Sequence, residues 1–164
     1  MPGVTPEAPN SAAVFDKEPP RARAIKAADL KALHASYEPK GDGLDVVVFA
    51  APQLSLFELR ELTDLLDGRE VHPEVTLIAA VPPEVKSAAD RMGLSSRLEA
   101  SGALLLEGVC FYQMHAREIG RANGWQRLMT NSAKLVNIIG GYGYEPVLAS
   151  MARCVDSSVA GRVL

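Results

Sequence analysis

Short β-branched apolar runs alternate with capped, amphipathic segments along most of this chain, and that alternation constrains the fold more than any other feature. Asp45–Ala50 reads DVVVFA and Val75–Val81 reads VTLIAAV. Runs this short and this apolar are expected as strands covered on both faces. Between them, Ser55 and Glu58 form an S-x-x-E capping box. Leu56, Leu59, Leu62 and Leu66 then share one helical face, and Gly68 closes the helix. Pro83 suits a first helical turn, with Val85, Ala88, Ala89 and Met92 on one side and Gly93 as the stop.

The pattern continues. Ser96 and Glu99 read as a second capping box, and the short helix they open ends at Gly102. Ala103–Leu106 is a third strand. Phe111–Asn123 is compatible with helix, although its apolar spacing is poor. Arg127–Thr130 is a fourth strand, with Asn131 or Ser132 capping a helix to Ile139. Gly140, Gly141 and Gly143 form a loop. Pro146–Ala149 is a fifth strand, and Ser150 caps a last helix that ends near Gly161.

Strands alternating with helices specify a parallel sheet with crossover connections. The expected fold is therefore α/β: a doubly wound, mostly parallel sheet of about five strands with flanking helices. A length of 164 residues suits one such domain. We place it at 44–164. Residues 1–43 form an irregular N-terminal segment with a short helix capped by Asp29 and running to Tyr37. Pro19-Pro20 blocks regular structure in that segment.

Composition excludes several function classes. The net charge is −3 with no basic cluster, so nucleic acid is not an expected partner. No apolar run approaches the roughly 20 residues of a membrane span, and no secretory leader opens the chain, so a cytoplasmic location is expected. No Gly-rich dinucleotide fingerprint follows the first strand, and no P-loop is present. His34, His72 and His115 lack metal-ligand spacing and read as surface or packing residues.

In open parallel sheets, ligands bind beyond the carboxyl ends of the strands. The polar and reactive residues of this chain fall there: Gln53 and Ser55 after the first strand, Cys110 after the third, Thr130-Asn131-Ser132-Ala133-Lys134 after the fourth, and Ser150 and Cys154 after the fifth. Cys154, near a helix N-terminus, meets the positive end of the helix dipole, which favours the thiolate. A small buried hydrophobe fits the same residue. Asn131 and Ser132 can hold a carboxylate or phosphate, with Lys134 as a point charge; an ordinary N-cap with a solvated lysine fits them too.

Particular strings resemble the large subunit of the aconitase X family. They are Gly3-Val-Thr-Pro-Glu-Ala-Pro9, Pro52 with Ser55-Leu56, Thr130-Asn-Ser-Ala-Lys134, and Cys154-Val155 followed by Gly161. The likeness covers the C-terminal part of that subunit. It implies a hydro-lyase that dehydrates a small hydroxy acid such as cis-3-hydroxy-L-proline or phosphomevalonate. It also implies an iron–sulfur cluster held by three cysteines, of which Cys110 and Cys154 would be two. Asn131, Ser132 and Lys134 would line the substrate site, with Thr5 and Glu7 near it. The missing parts imply partners: the upstream half of the large subunit and a small swivel-domain subunit. Without them the chain is expected to be inactive and the cluster incomplete. The chain departs from the family pattern in three places. Ala51-Pro52-Gln53 replaces Cys-Pro-His, Glu107-Gly-Val precedes Cys110 in place of Thr-Asp-Thr, and Leu135-Val136-Asn137 replaces Tyr-x-His. A non-catalytic binding or scaffold module descended from the enzyme is the alternative reading.

Overall fold

The computed structural model describes residues 1–15, 18 and 21–164; the expectation for Pro19-Pro20 lies outside the described residues. The chain divides into two compact units, Met1–Ala32 and Leu33–Leu164. In the first, turns and a 3-10 turn at Ser11–Ala13 are the main features, and Asn10 caps that turn by accepting from the Ala13 N–H. Helix α1 spans Ala27–Ala35. Asp29 is not its N-cap. It sits in the first turn, and its carboxylate reaches back to accept from the Lys26 N–H at 2.7 Å, so the helix starts earlier than expected.

The second unit is an α/β fold. Five strands run parallel: β1 (Val46–Phe49), β2 (Thr76–Val81), β3 (Leu104–Glu107), β4 (Arg127–Thr130) and β5 (Glu145–Leu148). Their spatial order is β3-β2-β1-β4-β5. Helices α2 (Leu56–Leu66), α3 (Pro83–Arg91), α4 (Leu94–Ala100) and α7 (Met151–Ala160) pack with one face. Helices α5 (Ala116–Asn123) and α6 (Ala133–Ile139) pack with the other. No described helix is long and apolar enough to cross a membrane.

The side-chain alternation of β1 makes the two layers. Val47 and Phe49 join the α2/α7 cluster, and Val46 and Val48 join the α5/α6 cluster. All four are buried, which explains an uninterrupted apolar run in place of an alternating one. Each such side chain contributes roughly 1.5–3 kcal/mol of burial. By contrast β3 is an edge strand, and Leu104 on it is half exposed.

Local signals explain most element boundaries. Ser55 and Glu58 form the expected reciprocal capping box, and Ser150 caps α7 by accepting from the Arg153 N–H. Helix α3 carries Pro83 in its first turn. Two expectations fail for a physical reason. Ser96 caps nothing, because Gly93 adopts a left-handed conformation and lets α4 begin at Leu94. Met92 does not face the core: it is the αR residue after α3 and is 53% exposed. The segment from Phe111 is broken by His115, which is left-handed at φ 58°, leaving a 3-10 turn at Phe111–Gln113 and α5 beyond it.

Residues that precede β1 are tied to the end of the chain. The Val163 N–H donates to the Asp42 carbonyl at 2.7 Å, and Arg153 pairs with Glu38. Asp45 is a further link, because one of its carboxylate oxygens accepts from the N–H groups of both Gln126 and Arg127 at 2.7 Å each. These bonds join the entry to β1 to the entry to β4.

One glycine tests the packing of the α5 layer. A Cβ on Gly120 would stand 2.5 Å from the hydroxyl of buried Tyr144, which donates to the Ala116 carbonyl at 2.7 Å. Alanine inside a helix normally stabilises by about 0.5–1 kcal/mol over glycine. Here the clash wins, and Gly120→Ala is expected to lower stability by about 1–3 kcal/mol in urea denaturation. An unchanged or raised midpoint would contradict this packing.

Candidate functional site

The strand order places a reversal between β1 and β4. The chain moves outward from β1 through β2 to β3, then crosses to the other side of β1 to lay down β4 and β5. Connections leaving adjacent strands in opposite directions open a crevice beyond their carboxyl ends. By strand order the place for such a crevice here lies between Ala50–Gln53 after β1 and Asn131–Lys134 after β4.

Three polar contacts fix its walls. The Ser132 hydroxyl donates to the Ala51 carbonyl in a very short hydrogen bond and accepts from the Leu135 N–H at 3.1 Å. It therefore caps α6 and ties the β4 loop to the β1 loop. The hydroxyl of buried Thr130 accepts from the Ser132 N–H at 3.1 Å, which holds the turn. On the other side, the Gln53 amide donates to the Val109 carbonyl at 2.8 Å. That bond draws the loop after β3 toward the end of β1. Ala51–Pro52 is a cis peptide.

The β3 loop then crosses the α5/α6 face. Its Phe111 is buried edge-on to Tyr144, with centroids 6.0 Å apart. The neighbouring Tyr112 ring lies 5.7 Å from the Lys134 ammonium. Tyr112 thus joins Gln53 at the crevice, although of the two only Gln53 was expected at a strand end. The polar position of Gln53 after a strand was a usable signal. Nothing in the spacing around Tyr112 shows that its loop reaches α6.

The expected site residues fall into three groups. Asn131 and Lys134 stand exposed at the crevice, and among the described residues the Asn131 amide makes no side-chain hydrogen bond. Ser132 is at the same place, but its hydroxyl is already engaged twice. Thr5 and Glu7 lie in the N-terminal unit, where the Thr5 hydroxyl accepts from the N-terminal amine at 3.3 Å.

The two thiols are not brought together. Cys110 is half buried, directly before Phe111, and packs with the α5/α6 cluster. Cys154 is fully buried in α7 and belongs to the cluster on the opposite face. Burial pushes its thiol up to about 12, with the Arg153 charge opposing only weakly. The thiolate expected from the helix dipole is therefore not favoured, because desolvation outweighs the half-charge at the helix end. Among the described residues no group of three or more His, Cys, Asp or Glu side chains could hold a metal ion.

Two measurements check this reading of the thiols. Alkylation of the native chain is expected to modify Cys110 first and Cys154 only after unfolding; equal rates would contradict the burial. The second concerns pH. An unfolded thiol ionises near 9.0, and the folded Cys154 holds its proton to about 12. Its contribution to stability is complete below pH 9 and is lost as the pH climbs toward 12, where the unfolded state binds fewer protons. Cys154→Ala is expected to flatten that alkaline slope, and an unaltered slope would show that another group sets it.

The family model described as "Aconitase X third domain" matches residues 44–160. A cis-3-hydroxy-L-proline dehydratase of Pseudomonas aeruginosa is 34% identical over 98% of this chain, which spans 28% of that protein. The phosphomevalonate dehydratase large subunit of Thermococcus kodakarensis is 27% identical over 73% of the chain and 30% of its own length. The crystal structure of Thermococcus kodakaraensis aconitase X in its holo form superposes with a TM-score of 0.66 at 20% identity, covering 82% of this chain and 33% of that one. That likeness shows a shared fold, and the chain spans about a third or less of each of these relatives. With the family model covering most of the chain and every strand of its sheet, the protein belongs to the aconitase X family and carries the third domain of that family.

Proposed function

We propose that this chain is one part of an aconitase X-type hydro-lyase that dehydrates a small hydroxy acid such as cis-3-hydroxy-L-proline or phosphomevalonate. One observation carries the reading: a dehydratase resembles nearly the whole chain at 34% identity, yet the chain accounts for 28% of that dehydratase. In this proposal the upstream half of the large subunit and a small swivel-domain subunit supply the rest of the catalytic machinery. The chain alone is inactive in this proposal, and the assembled enzyme works in the cytoplasm.

The crevice supports a substrate-holding role. Lys134 offers a compact positive charge to a carboxylate or phosphate, and Asn131 offers an amide that can donate and accept. Ser132 and Gln53 act as positioning residues, because their hydrogen bonds set the distance between the β1, β3 and β4 loops. Dehydration needs a base within hydrogen-bond reach of the proton removed and an acid to assist the leaving hydroxyl. In this proposal the partners supply both. The iron–sulfur cluster implied by the resemblance is proposed for the assembled enzyme only.

A second reading is a non-catalytic ligand-binding or scaffold module descended from the enzyme. The complete burial of Cys154 favours it, since a ligand thiol must ionise. Reconstitution separates the two. The purified chain is mixed with the upstream part and the small subunit, with iron and sulfide supplied anaerobically, and assayed on cis-3-hydroxy-L-proline and on phosphomevalonate. The expected result is turnover by the assembly and none by the chain alone. Lys134→Ala is expected to raise KM about 10- to 100-fold, the loss of one charge-assisted hydrogen bond. Turnover by the chain alone would refute the need for partners. An inactive assembly that still binds either compound would favour the non-catalytic module.

A further inference from the structure

A cleft opens at the other end of the sheet. It has a volume of about 460 Å³ and lies where α5 and α6 run into the starts of β4 and β5. Arg117, Arg121, Trp125, Tyr142 and Tyr144 supply its side chains, and a floor of glycines includes Gly141. From this geometry we propose a second ligand site, one that takes a mononucleotide-sized molecule: a flat ring joined to a phosphate or carboxylate.

The sign of the charge comes from the lining. Two guanidinium groups face the cleft and no carboxylate does. The helix ends there are carboxyl ends, each carrying roughly half a negative charge, which two full positive charges exceed. Arg117 is held in place: it donates to the Gly141 carbonyl at 2.8 Å and lies 5.9 Å from the centroid of the Tyr142 ring. Among the described residues Arg121 is in no ion pair, so its charge is available to a ligand. Guanidinium forks bind phosphate and carboxylate through paired hydrogen bonds.

The flat part of the ligand follows from the rest of the wall. Trp125 and Tyr142 are both half buried and offer aromatic surface for a ring. Glycines keep the opposite side low: a Cβ built on Gly140, Gly141 or Gly143 meets no atom within 4 Å. The volume lies within the roughly 300–1,000 Å³ range of small-molecule sites. The cleft borrows nothing from the crevice beyond β1 and β4, so the proposal stands apart from the dehydratase reading.

The chain contains one tryptophan, Trp125, which makes its own fluorescence a reporter of this cleft. The full chain is titrated at low ionic strength with adenosine monophosphate, and separately with adenosine and with inorganic phosphate. A saturable change with the nucleotide is expected, at least tenfold tighter than with either half alone. Arg121 is exposed, so Arg121→Ala should fold normally, checked by circular dichroism, and should weaken the nucleotide at least tenfold. Gly141→Leu, at a position with open space for a side chain, should weaken it too by filling the cleft. The proposal is overturned if the nucleotide gives no saturable change at millimolar concentration. It is overturned equally if adenosine binds as tightly, or if Arg121→Ala leaves the titration unaltered.

Discussion

Everything in the α/β unit is organised around β1, a strand with no exposed side chain. Val46 to Phe49 pair with β2 on one side and β4 on the other, and each face is covered by helices. A strand buried on every side cannot slip by one residue without exchanging its two apolar faces, so its register is strongly fixed. Its neighbours inherit that register. So does the crevice, because the segments that wall it are continuations of β1 and β4. The Asp45 carboxylate joins these two strands at their starts, and the Ser132 hydroxyl joins them at their ends. The geometry at the carboxyl end therefore rests on burial in the middle and on a polar clasp at each end.

Local rules made much of this readable from the sequence. All five strands sit within a residue or two of where the apolar runs place them, because a doubly covered strand needs such a run. Ser55, Ser132 and Ser150 cap helices as expected, since a cap depends on the next three residues only. The misreadings arise where a backbone conformation outweighs side-chain chemistry. Gly93 and His115 both take left-handed conformations, and each moves a helix boundary. The His115 case could not be anticipated from propensity, since most residues other than glycine avoid that region.

The site was legible in its parts and not in its assembly. Asn131, Ser132 and Lys134 follow β4 as the strand pattern implied. Spacing gave no account of strand order, and strand order decides which loops meet. Tyr112 reaches Lys134 only because the β3 loop crosses the sheet. Cys154 illustrates the complementary limit. Its position near a helix start suggested a thiolate, but the face it occupies is the packed α2/α7 layer, and desolvation governs its ionisation.

Whether the carboxyl-end crevice is the working face is most directly tested by hydrogen–deuterium exchange on the chain, alone and with the proposed upstream part and small subunit added. The account predicts new protection at residues 50–53, 109–112 and 131–134, deepening when a hydroxy-acid substrate is added. Protection confined to the opposite end of the sheet, around residues 140–144, with these three segments unaffected, would contradict it.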